Sequence, residues 1–246
     1  MPHSENALVR KLSNFIRLSP GELECLLQLQ SARENVAAST DLVHEGQTGH
    51  RAYILQAGWA YCYKLLPDGG RQVITFSLPG DFMGLRSILL RTSDHSFATF
   101  SDAVVSPISV KRMIAVFNEF PRLGAAILWA VSRDEAMVVE HLVGIGRRSA
   151  IERIAHFFLE LGHRLQLVGM ASETKFECAL NQYLLADALG LTAIHVNRVL
   201  RQLREQGLIT VKERGVVIND LKGLMKLAGY DSGYLDQPRP LTEIDD

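Results

Sequence analysis

The spacing of the apolar positions changes several times along the chain. Residues 5–30 contain two short runs with helical spacing, and Ser19, Pro20 and Glu22 form the capping-box pattern that starts a helix. From about residue 33 to residue 112, short runs rich in aromatic and β-branched residues alternate with glycines, and the turn sequence PDGG at 67–70 joins two of these runs. This pattern predicts two helices followed by an antiparallel sandwich or barrel.

A long helix is predicted next, over about residues 121–143. Its apolar positions form a loose stripe that includes small and polar residues: Leu123, Ile127, Ala130, Met137, His141 and Gly144. A buried core helix has a broader apolar face, so this narrow stripe favours a helix that pairs with the same helix of a second copy. The sequence GIGRRS at 144–149 predicts a hinge-like break after it.

Two short helices that meet at a glycine are predicted in the last third of the chain. They follow a longer predicted helix over 149–166. Asn181 is suited to cap a helix over 182–189, and Gly190 is suited to end that helix with a positive φ. Thr192 then caps a second helix that runs to about residue 206. This arrangement predicts a helix-turn-helix.

The residues of the second helix separate into an apolar and a polar face. The expected buried face consists of Val196, Val199, Leu200 and Leu203.

The sequence LITVKERGVVI follows this helix and predicts a hairpin that turns near residues 214–215, as in a wing. A last helix is expected from about Asp220, and the chain is expected to fray beyond Tyr234.

The polar face carries the side chains that would recognise DNA. His195, Asn197, Arg198 and Arg201 lie off the apolar stripe in the first turns, where a recognition helix meets base edges. Arg198 is suited to donate two hydrogen bonds to guanine, whereas Asn197 or His195 would contact either a base or a phosphate.

Further contacts are expected at the DNA backbone. Thr192 and Gln182 start the two helices, where backbone N–H groups favour phosphates. Arg201 and Arg204 lie further along and are expected at phosphates, which position the protein without specifying sequence. The alternative is a helical hairpin with a solvated basic face; small Ala186 at the helix crossing, the turn glycine and the trailing hairpin favour DNA binding.

Charge is distributed unevenly along a chain that has a net charge of −1. Residues 147–215 contain ten basic and seven acidic side chains, whereas the segment after them contains three basic and six acidic ones. A locally basic segment in a nearly neutral chain suits a nucleic-acid interface. The overall hydrophobic content of 47% is that of an ordinary globular protein.

The three cysteines and the N-terminal sequence bear on the cellular compartment. Cys25, Cys62 and Cys178 lie far apart without a CxxC pair, so no disulfide framework is expected. No basic start with an apolar leader is seen, and no apolar run approaches the length of about 18 residues that a membrane span needs. A cytoplasmic protein without membrane contact is expected.

Several segments together resemble the Crp/Fnr family of bacterial transcription regulators. They are PGDFMG at 79–84, GRRSAIERIAHFF at 146–158 and LGLTAIHVNRVLRQLREQGLI at 189–209, and the resemblance extends from about residue 15 to residue 228. It implies an α+β chain with a cyclic-nucleotide-binding-like β-roll, a dimerisation helix and a winged helix-turn-helix. It also implies a homodimer on palindromic promoter DNA, with RNA polymerase as a partner. The LTxxHVNR form resembles a distinct subgroup.

The resemblance divides the chain into four parts. Residues 1–118 correspond to the sensor domain, 119–146 to the dimerisation helix and hinge, 147–228 to the DNA-binding domain, and 229–246 to an acidic tail. Many family members carry a glutamate that recognises part of the DNA half-site where Ile194 stands here. This departure leaves the recognised sequence open.

The sensor domain departs from the family as well. Members that bind cyclic AMP carry a ribose-binding glutamate after the glycine equivalent to Gly84, and a phosphate-binding arginine beside a serine or threonine. Here those places hold Leu85 and His95, with Ser96 adjacent. Leucine cannot accept a hydrogen bond, and histidine is a weaker phosphate partner than arginine. Cyclic AMP binding in the usual mode is therefore not expected, and the effector is unknown.

No cofactor and no catalytic or metal site are predicted. Oxygen-sensing family members hold an iron–sulfur cluster with clustered N-terminal cysteines, and Cys25 stands alone. Histidines that could bind haem, as in some members, are His3, His44, His50 and His95. A cupin-like metal enzyme would use His44, Glu45 and His50, but neighbouring residues on a strand point to opposite faces. The further alternative is a sensor protein that does not bind DNA.

Overall fold

The computed structural model describes residues 6–49, 51–85 and 88–236. The chain divides into two compact units. The N-terminal unit contains the described residues up to Leu65 and from Ile74 to Asp134. The C-terminal unit contains Leu66–Val73 and the described residues from Glu135 onward.

The antiparallel sandwich predicted from the short strands is confirmed, as is the β-roll that the family resemblance implies. Two helices, α1 (Ala7–Ser13) and α2 (Pro20–Leu29), precede it, and the Ser19–Glu22 capping box is formed at the start of α2. The strands are β1 (Glu34–Val36), β2 (Asp41–Val43), β3 (Ala52–Ala57), β4 (Ala60–Leu65), β5 (Arg71–Ser77), β6 (Phe82–Met83), β7 (Ser96–Thr99) and β8 (Ala103–Ile108). They form two four-stranded sheets, ordered β1-β8-β3-β6 and β2-β7-β4-β5.

The roll and the helices around it have separate apolar clusters. The first cluster lies inside the roll and includes Leu55, Met83, Phe97 and Val105. The second cluster is larger and joins α1 and α2 to two later helices, α3 (Val110–Glu119) and the first half of α4 (Pro121–Arg147). Burial of these side chains is the main source of the stability of this unit.

One prediction for the long helix α4 is wrong. The apolar residues Leu123, Ile127, Ala130 and Met137 are buried within the chain, at most 4% exposed, and do not form a seam open to a second copy. The break predicted within residues 144–149 lies at residues 148 and 149, between the end of α4 at Arg147 and the next helix, which begins at Ala150. Gly144 and Gly146 remain helical, since glycine weakens a helix by only about 1 kcal/mol, which its neighbouring turns can offset.

The second half of α4 instead exposes a different set of apolar side chains. These are Val139, Leu142, Val143 and Ile145, with exposed fractions from 41% to 70%. Residues 139, 142 and 143 stand at the spacing that places side chains on one face of a helix. We refer to these three residues as the exposed stripe of α4.

The C-terminal unit is a winged helix-turn-helix. It contains α5 (Ala150–Leu167), β9 (Lys175–Glu177), α6 (Gln182–Leu189), α7 (Ala193–Glu205), β10 (Ile209–Lys212), β11 (Gly215–Ile218), α8 (Leu221–Ala228) and a 3₁₀ turn, Ser232–Tyr234. The predicted hairpin is β10–β11, and β9 adds a third strand beside β11. Its turn takes a positive φ at Glu213, and Gly215 already belongs to β11.

The chain after α8 folds back onto the unit. Leu235 is 1% exposed, and the His163 Nε2 atom lies 2.7 Å from the Asp236 carboxylate. The fraying predicted directly beyond Tyr234 is therefore wrong for these two residues, while residues 237–246 lie outside the described part. Within the described ranges, no helix is both long enough and apolar enough to cross a bilayer.

Candidate nucleic-acid interface

The angle between α6 and α7 is set by local hydrogen bonds. The Asn181 carboxamide caps α6 by accepting from the backbone N–H groups of residues 183 and 184, at 3.0 Å each. Gly190 ends α6 with a φ of 62°, and its N–H donates to the Ala186 carbonyl. Thr192 Oγ1 accepts from the His195 N–H at 3.2 Å and starts α7. These three predicted caps are confirmed.

The apolar face of α7 fixes which side of the helix is exposed. Val196, Val199 and Leu203 are at most 3% exposed, and Leu200 is half-buried. The opposite side carries Ile194, Asn197, Arg198 and Arg201, all exposed. Residues 194, 197, 198 and 201 are three or four apart in sequence and thus share one helix face. We call this set the recognition face of α7.

One hydrogen bond holds the central arginine of this face. The Arg198 Nη2 atom lies 2.9 Å from His195 Nε2, one turn earlier in α7. Arginine donates and cannot accept, so the bond requires the neutral histidine tautomer with a lone pair on Nε2. The structure thus brings His195 and Arg198 together, with His195 half-buried and the guanidinium exposed.

The remaining predicted contact residues lie at helix starts. Gln182 is the half-buried first residue of α6, and Thr192 is exposed at the N-cap of α7. Both positions lie at the positive end of a helix dipole, where anions are favoured. Arg204 near the end of α7 and Lys212 and Arg214 in the wing are exposed and add positive charge.

Arg153 fixes the end of α6 in a way that sequence reasoning missed. Its guanidinium donates to the Leu189 carbonyl at the end of α6, and at 3.1 Å to each of the carbonyls of Ile145 and Arg148 at the end of α4. Burial lowers the pKa of Arg153 from its ordinary value. Its place within the segment 146–158, which carries the family resemblance, was the only signal in the sequence.

A second support comes from the first two residues of β5. The Arg71 Nε atom donates to the Asp187 carboxylate at 2.6 Å, and the Gln72 carboxamide donates to the Ala188 carbonyl at 3.1 Å. Both contacts are made within the C-terminal unit and hold the last turn of α6. Residues 71 and 187 are too far apart in sequence for any local pattern to have paired them.

Behind the helix-turn-helix lies a buried polar network. The Glu160 carboxylate is 1% exposed and lies 2.9 Å from His141 Nε2, and the Tyr234 hydroxyl donates to it at 2.7 Å. Burial alone would raise the pKa of Glu160, but the charge and hydrogen bond of His141, with Arg164 and the tyrosine, lower it to about 2. Burial also lowers the pKa of the adjacent His156 to about 4.

The four predicted effector-pocket residues already have contacts within the chain. Gly84 is buried with a φ of 72°. Leu85 packs against the second apolar cluster, which joins α1 and α2 to α3 and α4. His95 is 3% exposed, with its Nδ1 atom 2.5 Å from the Asp94 carboxylate, and Ser96 Oγ accepts from the Glu45 N–H at 2.9 Å.

The metal and haem candidates are not clustered where the structure describes them. His44 is exposed with Nδ1 4.0 Å from the Asp41 carboxylate, whereas Glu45 pairs with Lys64 at 2.8 Å. In the described ranges, no three His, Cys, Asp or Glu side chains are grouped closely enough to hold a metal ion. His3 and His50 lie outside those ranges.

Comparison with known proteins identifies both halves of the chain. Residues 152–227 match the Crp-like helix-turn-helix domain, and residues 33–120 match the cyclic nucleotide-binding domain. The chain is 32% identical over 195 residues to the nitrogen fixation regulation protein FixK of Azorhizobium caulinodans, covering 78% of this chain and 77% of that protein.

Two further comparisons agree with this result. The chain is 25% identical over 227 residues to the anaerobic regulatory protein of Haemophilus influenzae, covering 92% of this chain and 88% of that protein. The structure of FixK2 from Bradyrhizobium japonicum shares the fold with a TM-score of 0.73 at 24% identity, covering 81% of this chain and 98% of that one. These relatives are regulators rather than enzymes, and with its helix-turn-helix domain the present chain belongs to the Crp/Fnr family of transcription regulators.

Proposed function

We propose that the protein is a homodimer that binds a palindromic promoter site through the recognition face of α7. The observation that carries this proposal is the hydrogen bond by which the half-buried His195 holds Arg198 on that exposed face. A guanidinium oriented in advance loses less conformational freedom when it donates to O6 and N7 of guanine. Asn197 lies beside it and contacts a neighbouring base or phosphate.

Backbone contacts surround this central pair. Thr192 and Gln182 meet phosphates at the two helix starts, and Arg201 meets a phosphate further along α7. These contacts set the register of the protein on DNA and provide most of the salt-dependent affinity. RNA polymerase is the further partner that the family membership suggests.

The second copy would pack against the exposed stripe of α4. Leu142 is 70% and Val139 is 54% exposed, and an apolar seam at this spacing is typical of paired helices. A two-fold axis along α4 would present two recognition faces, which need a separation of about 34 Å to enter successive major grooves. The palindrome of the DNA site follows from this symmetry.

The sensor domain is proposed to work without cyclic AMP in the usual mode. Leu85 provides no acceptor for the ribose, and the His95 ring is already paired with Asp94. Titration of cyclic AMP into the protein, followed by its melting temperature and its affinity for DNA, should produce no change. A saturable rise in either quantity would contradict this part of the proposal.

DNA selection tests the main proposal. The purified protein, at fixed salt and with nothing added, selects sites from random DNA, and a palindromic motif is expected. Arg198→Ala should weaken binding to the selected site by about 1–3 kcal/mol while leaving binding to random DNA nearly unchanged. Arg147→Ala, which removes an exposed arginine at the end of α4, is the matched control. An Arg198→Ala variant that binds the selected site as the parent does would refute the assignment.

A further inference from the structure

The recognition face of α7 contains one residue that hydrogen bonding does not explain. Ile194 is 84% exposed, the largest exposed fraction among the large apolar side chains described as exposed. It lies in the first turn of α7, two residues after the Thr192 cap and four before Arg198. Single exposed apolar residues are common on protein surfaces, so exposure alone decides nothing.

The position of Ile194 on the recognition face indicates what its exposed side chain would contact. The Thr192 cap fixes the backbone of the first turn, and Arg198 extends from the same face one turn later. If Arg198 contacts a guanine in the major groove, Ile194 lies over a base step close to that guanine. An isoleucine in that place can neither donate nor accept a hydrogen bond.

The groups that each base presents in the major groove indicate which base Ile194 would contact. Thymine is the only standard base that presents a methyl group there, and apolar side chains recognise it by contact. Cytosine and adenine present amino groups that would lose water against Ile194 without gaining an acceptor, which is unfavourable. We propose that Ile194 is a specificity-determining residue that selects thymine in each half-site by contact with its C5-methyl group.

This inference rests on the proposed DNA-binding function, and an atomic substitution in the DNA tests it separately. The selected palindrome is synthesised with deoxyuridine in place of thymine, one symmetric pair of positions at a time, which removes only the methyl groups. Binding is measured at fixed salt for the parent protein and for Ile194→Ala. Ile114→Ala, which truncates an exposed isoleucine on α3, is the matched control.

At one thymine position, the parent protein should bind the uracil site about fourfold more weakly for each methyl group lost, and about fifteenfold for the symmetric pair. Ile194→Ala should bind the thymine site more weakly and should not distinguish thymine from uracil at that position. Ile114→Ala should distinguish thymine from uracil at that position as strongly as the parent protein does. Because Ile194 is exposed, its truncation should leave the melting temperature unchanged, so the effect cannot come from misfolding.

Two results would overturn the inference while the proposed function stands. One is a selected motif in which no thymine position responds to uracil, and the other is an Ile194→Ala variant that responds as the parent does. If the parent protein selects no motif at all, the proposed function itself fails, and the inference fails with it. The selection step, which precedes any substitution, therefore separates a failure of the proposed function from a failure of the inference alone.

Discussion

The guanidinium of Arg153 is predicted to hold the helix-turn-helix against the end of α4. It donates to the Leu189 carbonyl at the end of α6 and to the carbonyls of Ile145 and Arg148. All three are carbonyls in the last turn of a helix or just beyond it, where intrahelical donors are lacking and a cation is favoured. We therefore predict that Arg153→Ala loosens α6 and destabilises the C-terminal unit.

The expected magnitude follows from these bonds. A hydrogen bond from a charged group contributes about 1.5–3 kcal/mol when it is fully buried. Arg153 is only half-buried, so water replaces part of what the substitution removes. We expect a loss of about 2 kcal/mol in the free energy of unfolding. Arg153→Lys should recover less than half of this loss, since an ammonium group cannot reach three divergent carbonyls as a planar guanidinium does.

Urea denaturation followed by circular dichroism measures this loss, and binding to the selected DNA site is measured in parallel. Affinity should fall for Arg153→Ala, while the order of preference among DNA sequences should stay unchanged because no base contact is removed. Arg147→Ala, an exposed arginine nearby in the chain, should alter neither quantity. An unchanged denaturation midpoint for Arg153→Ala would refute the argument for this clamp.

Three further predictions concern the dimer, the buried network around Glu160 and the turn between α6 and α7. Leu142→Asp should convert a dimer into monomers in analytical ultracentrifugation, because it places charge in the exposed stripe of α4; a dimer that persists would move the interface elsewhere. Glu160→Gln should destabilise the protein at pH 7, and the difference from the parent should shrink as the pH falls below the ordinary pKa of 4.5 towards the folded-state pKa of about 2. If urea titrations give a stability difference between the variant and the parent that does not depend on pH, the charge of the Glu160 carboxylate does not stabilise the protein. Gly190→Ala should cost about 1–2 kcal/mol in thermal unfolding because its φ of 62° is unfavourable for a residue with a Cβ atom, and an unchanged melting temperature would contradict this.

The helix-turn-helix was predictable because its boundaries depend on neighbouring residues. Asn181, Gly190 and Thr192 each act on backbone groups within five residues, so their effect is visible in sequence. The apolar face of α7 follows in the same way from the helical period. The sequence did not predict β9 (Lys175–Glu177), because three residues are too few to show an alternation of apolar and polar positions. This strand is stabilised by pairing with β11.

The long helix shows where sequence patterns stop being sufficient. An apolar residue at helical spacing is buried equally well against its own chain or against a second copy, and the period of the pattern is the same in both cases. Leu123 and Ile127 pack against α1 and α2, which the sequence of α4 alone does not reveal. The side chains left for a partner are those that the chain itself does not cover.

The sequence by itself therefore determined the local elements, the caps and the chemical character of the recognition face. Only the tertiary structure decided which face of α4 is covered, and which groups hold α6 in place. Arg71 meets Asp187 and Arg153 meets the Leu189 carbonyl because the fold brings distant segments together. Contacts of this kind leave no periodic trace, since they depend on the position of the backbone in space and not on the spacing of residues along it.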